Sequence, residues 1–393
     1  MQTQRHTYPH FTFRPEDLLG RAPIVLNLDN AAKEIHGRIV LITGAAGTIG
    51  SELATQVCAC APAKVIMVDQ AETALYEADH RLRQQFPRVD IRTEIASITD
   101  ASRMAGLFSG NNIHIVFHAA AYKHVPLMER HPYEAVKTNV LGTEVLADLA
   151  VSYRIRKFIY ISTDKAVRPA SVMGATKRFA EMYLQYLSHE YPGQTQFIIT
   201  RFGNVLGSNG SFALRFAQQI REGGPVTVTD PLAQRYLMTV AEACQLVLQA
   251  TATSGGGETL TFDMGQPVRI ADVARKMIRL AGLEPGKDVT ICFTGLRPGE
   301  KLSEDLDTEE MQTAAFGQLK TVCFPIHAAQ CMRYAMSELQ KALDSGRPEE
   351  LVAVLKMMIP EYISANSPYE ALDNACGGQS VPDRRQPTAH GRC

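Results

Sequence analysis

The sequence predicts an α/β fold built on a doubly wound parallel sheet, with a smaller C-terminal lobe suited to holding substrate. Three observations carry that prediction. Near-continuous apolar runs of about six residues recur from Gly37 onward, helix-length amphipathic stretches separate them, and a glycine-rich turn joins the first run to the first helix. Strands buried on both faces of a parallel sheet read as such runs, and their alternation with helices is the mark of βαβ units.

Residues 1–37 read as an irregular polar arm, punctuated by Pro and Gly in RPEDLLGRAP. The strands then follow as RIVLIT (38–43), KVIMVD (64–69), IHIVFHA (113–119), KFIYIS (157–162) and QFIITR (196–201). Helical patterns lie between them at 48–60, 71–86, 133–153 and 172–190. Residues 38–200 are therefore expected to form one nucleotide-binding domain. Beyond Arg201 the texture loosens into the loop GNVLGSNGS, the helical stretch SFALRFAQQIREGG, the short strand PVTVTDP, and helix–strand–helix patterns at 240–251, TLTFDM and 270–281. Residues 201–372 are expected to form the substrate lobe, with 238–265 returning in part to the first domain. The tail 373–393 has no periodicity and is expected to be disordered.

Composition narrows the class. The 393 residues carry 40 Lys+Arg against 41 Asp+Glu, a formal net charge of -1. Such a balance argues against a nucleic-acid platform and against a polybasic membrane surface. The eight cysteines are scattered without zinc-ligand spacing, so no metal is expected. No run is long and apolar enough to span a bilayer, and the N-terminus lacks a secretory h-region. Reduced thiols in the cytoplasm are the expectation.

The turn TGAAGTIG places Gly44, Gly47 and Gly50 between the first strand and the first helix, with Thr48 and Ile49 in the first helical turn. Glycines there let the backbone bend tightly and approach a pyrophosphate, and the helix N-terminus offers free N–H groups. The next strand ends in Asp69, 19 residues after Gly50. A carboxylate at that place accepts from a ribose diol and repels a 2′-phosphate, which points to NAD rather than NADP. A tight turn beside a surface Asp is the alternative.

The G-x-x-G-x-x-G spacing, HAAA (118–121) and TNVLGT (138–143) resemble the extended short-chain dehydrogenase/reductase superfamily, a Rossmann-like fold. The resemblance implies that Ala119, Ala120 and Ala121 line the nicotinamide side of the cleft and that Asn139 helps to position the cofactor. Read from composition alone, Asn139 is equally a helix residue facing water.

The chemistry-bearing segment is ISTDKAVRPASVMGATKR (161–178), at the C-terminal end of the fifth strand, where doubly wound sheets place their sites. Thr163, Asp164 and Lys165 are adjacent there, and Lys177 follows on the next helix. An Asp–Lys pair in a closed site can divide into acid and base; a strand-end salt bridge is the plainer reading.

STDKAVRP with MGATKR resembles the polysaccharide-biosynthesis nucleotide-sugar dehydratases, specifically bacterial UDP-N-acetylglucosamine 4,6-dehydratases. The likeness extends through FHAAAYKHVPLMERHPYEAVKTNVLGT, RFGNVLGSNGS, RYLMTVAEA and GLRPGEKLSEDL, covering about residues 15–370. One position departs from the superfamily: its Tyr-x-x-x-Lys pair ends here at Lys177, but Met173 stands for the Tyr, and a thioether cannot serve as a proton acceptor. The membrane-anchored branch of the family is similar in this respect, and the chain looks like the soluble catalytic part of such enzymes.

The resemblance implies C4 oxidation by NAD, elimination of water across C5 and C6, and return of the hydride to C6. Asp164 would be the acid at C6, Lys165 the base at C5, Thr163 the ligand of the C4 oxygen, and Lys177 the holder of the nicotinamide ribose. For the UDP moiety the candidates are Asn204, Ser208, Asn209, Arg235 and Arg297, with Arg215 weaker, and Glu300 for the ribose hydroxyls. His118, Lys123 and His124 read as structural or loop residues. The rivals are a nucleotide-sugar 4- or 5-epimerase and a non-catalytic NAD-binding regulator. A homo-oligomer formed through helices 133–153 and 172–190 is implied by superfamily resemblance.

Overall fold

The computed structural model describes residues 10–305, 311–316, 319–322 and 329–373. Six parallel strands form its centre: β1 (Ile39–Thr43), β2 (Lys64–Asp69), β3 (Asp90–Ile95), β4 (Ile115–His118), β5 (Lys157–Thr163) and β6 (Gln196–Phe202). Their spatial order is β3-β2-β1-β4-β5-β6. Strand Thr259–Phe262 extends the sheet in parallel beyond β6, and Leu319–Val322 and Met311–Phe316 close that edge in antiparallel fashion. The order reverses between β1 and β4, so a crevice opens at their C-terminal ends.

Successive strand residues point to opposite faces, and both faces are dry. Val40 and Ile42 of β1 join Leu53 and Val57 of helix Thr48–Ala59 and Leu246 and Val247 of helix Val240–Thr253 on one face. Leu41 and Val116 join Leu146, Phe179 and Leu184 on the other, together with Leu339 and Leu355 of the C-terminal helices Ala329–Ser345 and Pro348–Met358. A third, separate core lies under the substrate lobe and gathers Phe216, Ile220, Val226, Leu237, Met277 and Val289.

Several expectations change. The arm is not simply irregular: Phe11, Leu18 and Leu19 are buried in the lobe's core, and helix Asp29–Ile35 buries Ala31 and Ile35 against the sheet. Within 201–372, residues 238–264 pack on the central sheet, and so do the C-terminal helices, which sequence reading had left in the lobe. β3 and helix Ala101–Ser109 were not read from sequence; β3 alternates with exposed polar residues because it is the sheet edge. The expected helix 133–153 is interrupted by a π-helical turn at Lys137–Leu141. Helix Val172–Glu190 is buried from Val172 through Leu187, partly under this chain's own C-terminal helices, which removes most of its surface from any contact with a second copy. Of the tail, only Asp373 lies within the described residues. Among the described residues no helix is long and apolar enough to cross a membrane.

Candidate active site

A cleft of about 1030 Å³ opens at the strand ends, between the glycine turn, the turn after β5 and the lobe. Gly44, Gly47, Thr48, Ile49 and Gly50 form one wall. Gly44 has φ +67°, and a Cβ on it would lie 2.6 Å from Ala120 N; on Gly50 a Cβ would lie 2.1 Å from Gly44 O. No side chain fits at either position, so the turn and the helix behind it are held at backbone contact. Asp69 braces this turn: its carboxylate accepts from Ala46 N at 2.9 Å and from Ala71 N at 2.9 Å. Ala119 and Ala121 face the cleft, whereas Ala120 packs against the Gly44 backbone.

Asn139 is fully buried and does not line the cleft. Its amide oxygen accepts from Tyr122 N (2.8 Å), and its NH2 donates to Tyr122 O (3.0 Å) and Thr176 Oγ1 (3.1 Å). The π turn directs it inward, so it acts on the 119–123 loop and neither contacts the cleft nor faces water. His118 is likewise internal, bonded to Thr43 Oγ1 at 2.8 Å and Thr143 Oγ1 at 2.9 Å, and burial lowers its pKa to about 3. It is a neutral structural imidazole.

At the end of β5, Thr163 and Lys165 face the cleft while Asp164 lies behind them with no exposed surface. Thr163 Oγ1 donates to Asp164 Oδ1 at 2.9 Å, and Lys165 Nζ donates to the same oxygen at 2.9 Å. Lys165 also donates to Asn204 Oδ1 at 3.3 Å and stands 3.4 Å from Glu304 Oε1. Burial opposes its charge most strongly, but Asp164 and Glu304 together outweigh it, so Lys165 is held protonated above the ordinary lysine range. The acid role expected of Asp164 meets a structural obstacle, since its carboxyl reaches the cleft only through its two neighbours. Gly174 permits this packing: a Cβ there would lie 2.3 Å from Lys165 O.

Met173 and Lys177 line the same wall from helix Val172–Glu190. The helix starts at Ser171, whose hydroxyl accepts from Gly174 N, and Glu129 accepts from Val172 N at 2.6 Å. Lys177 Nζ donates to Ile161 O at 2.6 Å and sits 4.0 Å from the Tyr160 ring centroid. Burial lowers its pKa to about 7, with Glu181 pulling the other way. Glu181 is itself buried between Arg201, Arg178 and Ser162 beneath β5.

The opposite wall comes from the lobe. Asn204, Ser208, Asn209, Arg215, Arg235, Arg297 and Glu300 all line it, as their sequence positions suggested. Arg235, however, is buried and spends its guanidinium on Gln234 O (2.6 Å), Lys301 O (2.8 Å), Leu302 O (3.0 Å) and Glu300 Oε1 (3.3 Å). It is a clamp on segment 300–304 before it is an anion ligand. Both Glu300 oxygens are also engaged, with Thr229 Oγ1 and with Arg297. Arg297, half exposed, and Arg215 remain to meet an anion. Lys123, His124 and Arg130 add positive or polarisable groups from segment 122–130; sequence reading left Lys123 and His124 as structural or loop residues and gave Arg130 no role in the site. Glu304 was also missed; it sits within the quoted GLRPGEKLSEDL, but nothing local showed that it meets Lys165.

Comparison with known proteins bears on the same residues. A family model described as "Polysaccharide biosynthesis protein" matches residues 40–323. The chain is 46% identical over 292 residues to the capsular polysaccharide biosynthesis protein CapD of Staphylococcus aureus, covering 74% of this chain and 48% of that protein. It thus spans about half the length of that curated relative. A UDP-glucose 4-epimerase of Rickettsia massiliae is 32% identical over 283 residues, 70% of this chain and 80% of that one. Among solved structures, Pen from Bacillus thuringiensis matches with a TM-score of 0.69 at 32% identity, covering 74% of this chain and 89% of Pen. DesIV from Streptomyces venezuelae, a dTDP-glucose 4,6-dehydratase with NAD and TYD bound, matches with a TM-score of 0.62 at 21% identity over 77% and 98% of the two chains, a likeness of fold.

Proposed function

Because the chain belongs to the polysaccharide biosynthesis protein family, we propose that it is an NAD-dependent nucleotide-sugar enzyme, specifically a UDP-N-acetylhexosamine 4,6-dehydratase acting in surface glycan synthesis. The observation that carries this reading is Lys165 facing the cleft with Asp164 behind it, on a wall where Met173 replaces the superfamily tyrosine. Epimerisation at C4 and dehydration both oxidise C4 and need a hydroxyl-proton acceptor that Met173 cannot be; elimination alone also needs a proton-transfer group at C5, which Lys165 can be.

The glycine turn fits a dinucleotide: Gly44 and Gly50 leave no room for a side chain, the helix beginning at Thr48 turns its free N–H groups to the cleft, and Asp69 ends β2 beside it. Bound there, NAD supplies a reversible hydride store, so one carbon can be oxidised and another reduced with no net redox change. The rest of the work falls to this chain's side chains. Thr163 holds the C4 oxygen, its hydroxyl polarised by Asp164. Lys165 moves the C5 proton, Lys177 holds the cofactor ribose, and Arg297, Arg215 and Lys123 receive the diphosphate. The reaction is cytoplasmic in this reading, and self-association would use helix Gly142–Ser152 more than its buried neighbour.

The epimerase reading keeps a place because of the 32%-identical UDP-glucose 4-epimerase. Incubation with UDP-GlcNAc and UDP-GalNAc, followed by chromatographic separation of isomers and mass spectrometry of the nucleotide sugar, separates the readings. Loss of the mass of one water is expected. A mass-neutral isomer would establish epimerisation instead, and an unchanged sugar with NAD retained would establish a binding role.

A further inference from the structure

We propose that Glu304, rather than Asp164, is the carboxyl that protonates the departing hydroxyl at C6, and that it does so as one proton-exchanging pair with Lys165. The inference deepens the dehydratase reading and rests on it.

Two carboxylates flank the Lys165 ammonium, and they differ in access. Asp164 is sealed behind the strand end; Glu304 lines the cleft from the opposite wall. Glu304 Oε1 stands 3.4 Å from Lys165 Nζ and 3.8 Å from Arg235 Nε. Glu304 Oε2, like Asp164 Oδ2, is buried without a hydrogen-bond partner among the described residues, so what separates the two is that Glu304 lines the cleft and Asp164 does not. A buried carboxylate oxygen without a partner is costly, and a proton or a substrate hydroxyl would relieve that cost. The carboxyl is also held firmly. Arg235 grips the carbonyls of Lys301 and Leu302, Gln234 bridges to Ser303, and Lys301 Nζ donates to Val167 O at 3.0 Å, just past the Lys165 turn.

The charges around Lys165 explain why a pair is needed. Asp164 and Glu304 favour its ammonium form and Arg235 opposes it, with the protonated form prevailing. A protonated lysine cannot take the C5 proton. Transfer of its proton to Glu304 makes an amine and a carboxylic acid, both facing the cleft. The amine then takes the C5 proton as the C5–C6 double bond forms, and the acid gives its proton to the leaving C6 oxygen, which departs as water. Lys165 and Glu304 are back in their starting forms. Lys165 would next return a proton to C5 as C6 is reduced, NAD being the group that would supply the hydride, and the proton lost by the C4 hydroxyl would restore Lys165. Two protons leave the sugar and two are used, one in water and one at C5.

The test is Glu304→Gln in the full chain with bound NAD and UDP-GlcNAc, beside Glu304→Asp and wild type. Stopped-flow absorbance reads nicotinamide reduction, mass spectrometry reads water loss, and the pH dependence of Lys165 acylation, read by peptide mass, reports its protonation without turnover. The expected result for Glu304→Gln is nicotinamide reduction that builds up, water loss slowed about 10²- to 10⁴-fold, and Lys165 acylated at lower pH than in wild type. Glu304→Asp recovers part of the rate. Water loss at the wild-type rate in Glu304→Gln overturns the proposal. So does an equal fall of reduction and water loss with Lys165 acylation unmoved, since that is a structural defect. A wild type that reduces no nicotinamide with UDP-hexoses overturns the dehydratase reading and the acid role together, and is recognised because the wild type itself is then inert.

Discussion

Lys165 and Lys177 line the same cleft, both largely removed from water, and their surroundings push their proton affinities in opposite directions. Lys165 leaves the strand end between two carboxylates and stays charged. Lys177 rises from the helix core against a carbonyl and an aromatic face; burial lowers its pKa to about 7, with Glu181 on the same helix favouring its charged form. Burial alone drives an amine towards neutrality; it takes ion partners on more than one side to reverse that. The site thus holds one lysine that must be discharged before it can act as a base and another already poised near neutrality, a division that suits proton transfer to the first and cofactor contact to the second.

Removing Lys165 should have the largest effect. Lys165→Met is expected to slow product formation by about 10²- to 10⁴-fold, the usual worth of a positioned proton-transfer group, while NAD still copurifies with the protein. Turnover of UDP-GlcNAc by mass spectrometry, with cofactor content from the denatured supernatant, checks both halves. A variant that loses cofactor as well as turnover would erase the distinction between the two lysines.

Lys177 gives a stability effect whose sign follows from its lowered pKa. Below about pH 7 the folded and unfolded chains both carry its proton, and the cost of burying the charge is fully present. Between about 7 and the ordinary lysine value the unfolded chain holds a proton that the folded one has released, so stability rises with pH, by up to about 1.4 kcal/mol per unit from this group. Lys177→Met should therefore flatten the rise in urea-unfolding free energy between about pH 7 and 9 in cofactor-free protein. Lys165, charged in both states over this range, contributes no such slope.

The legibility of these features tracks how local they are. The glycine turn was readable because strand, turn and helix follow one another within Ile39–Ala59, and the contacts that exclude a Cβ at Gly44 and Gly50 lie at the turn itself or at the end of β4. Thr163, Asp164 and Lys165 were placed correctly at a strand end, but which of them meets solvent depends on how the turn packs against helix Val172–Glu190 at Gly174, so the burial of Asp164 had no signal in its own segment. Glu304 reaches Lys165 through a clamp on Arg235 that joins parts of the chain distant in sequence. Arg235 itself looked like an anion ligand because a planar guanidinium suits paired phosphate oxygens, and only the carbonyls around it reveal its other task. The arm was misread since Phe11, Leu18 and Leu19 are spaced by Pro and Gly without a period, although they seal the lobe's core.

Asn139 tests whether the two lysines are independent. Its side chain joins the 119–123 loop to Thr176, the residue before Lys177, and these hydrogen bonds do not involve Lys165. Asn139→Ala leaves Tyr122 N and O without these partners, a loss of about 1–3 kcal/mol when such groups stay buried. The expected outcome is a fall in unfolding free energy of that size and weaker NAD binding, measured by urea titration and by isothermal titration calorimetry with NAD. Asn139→Asp, which retains the acceptor for Tyr122 N, should recover part of the stability. Acylation of Lys165 should be unchanged across both variants, because its carboxylate partners belong to β5's end and to the lobe. If Lys165 reactivity moved together with Lys177, the wall of the cleft would be one coupled unit and the separate roles assigned to the two amines would fail.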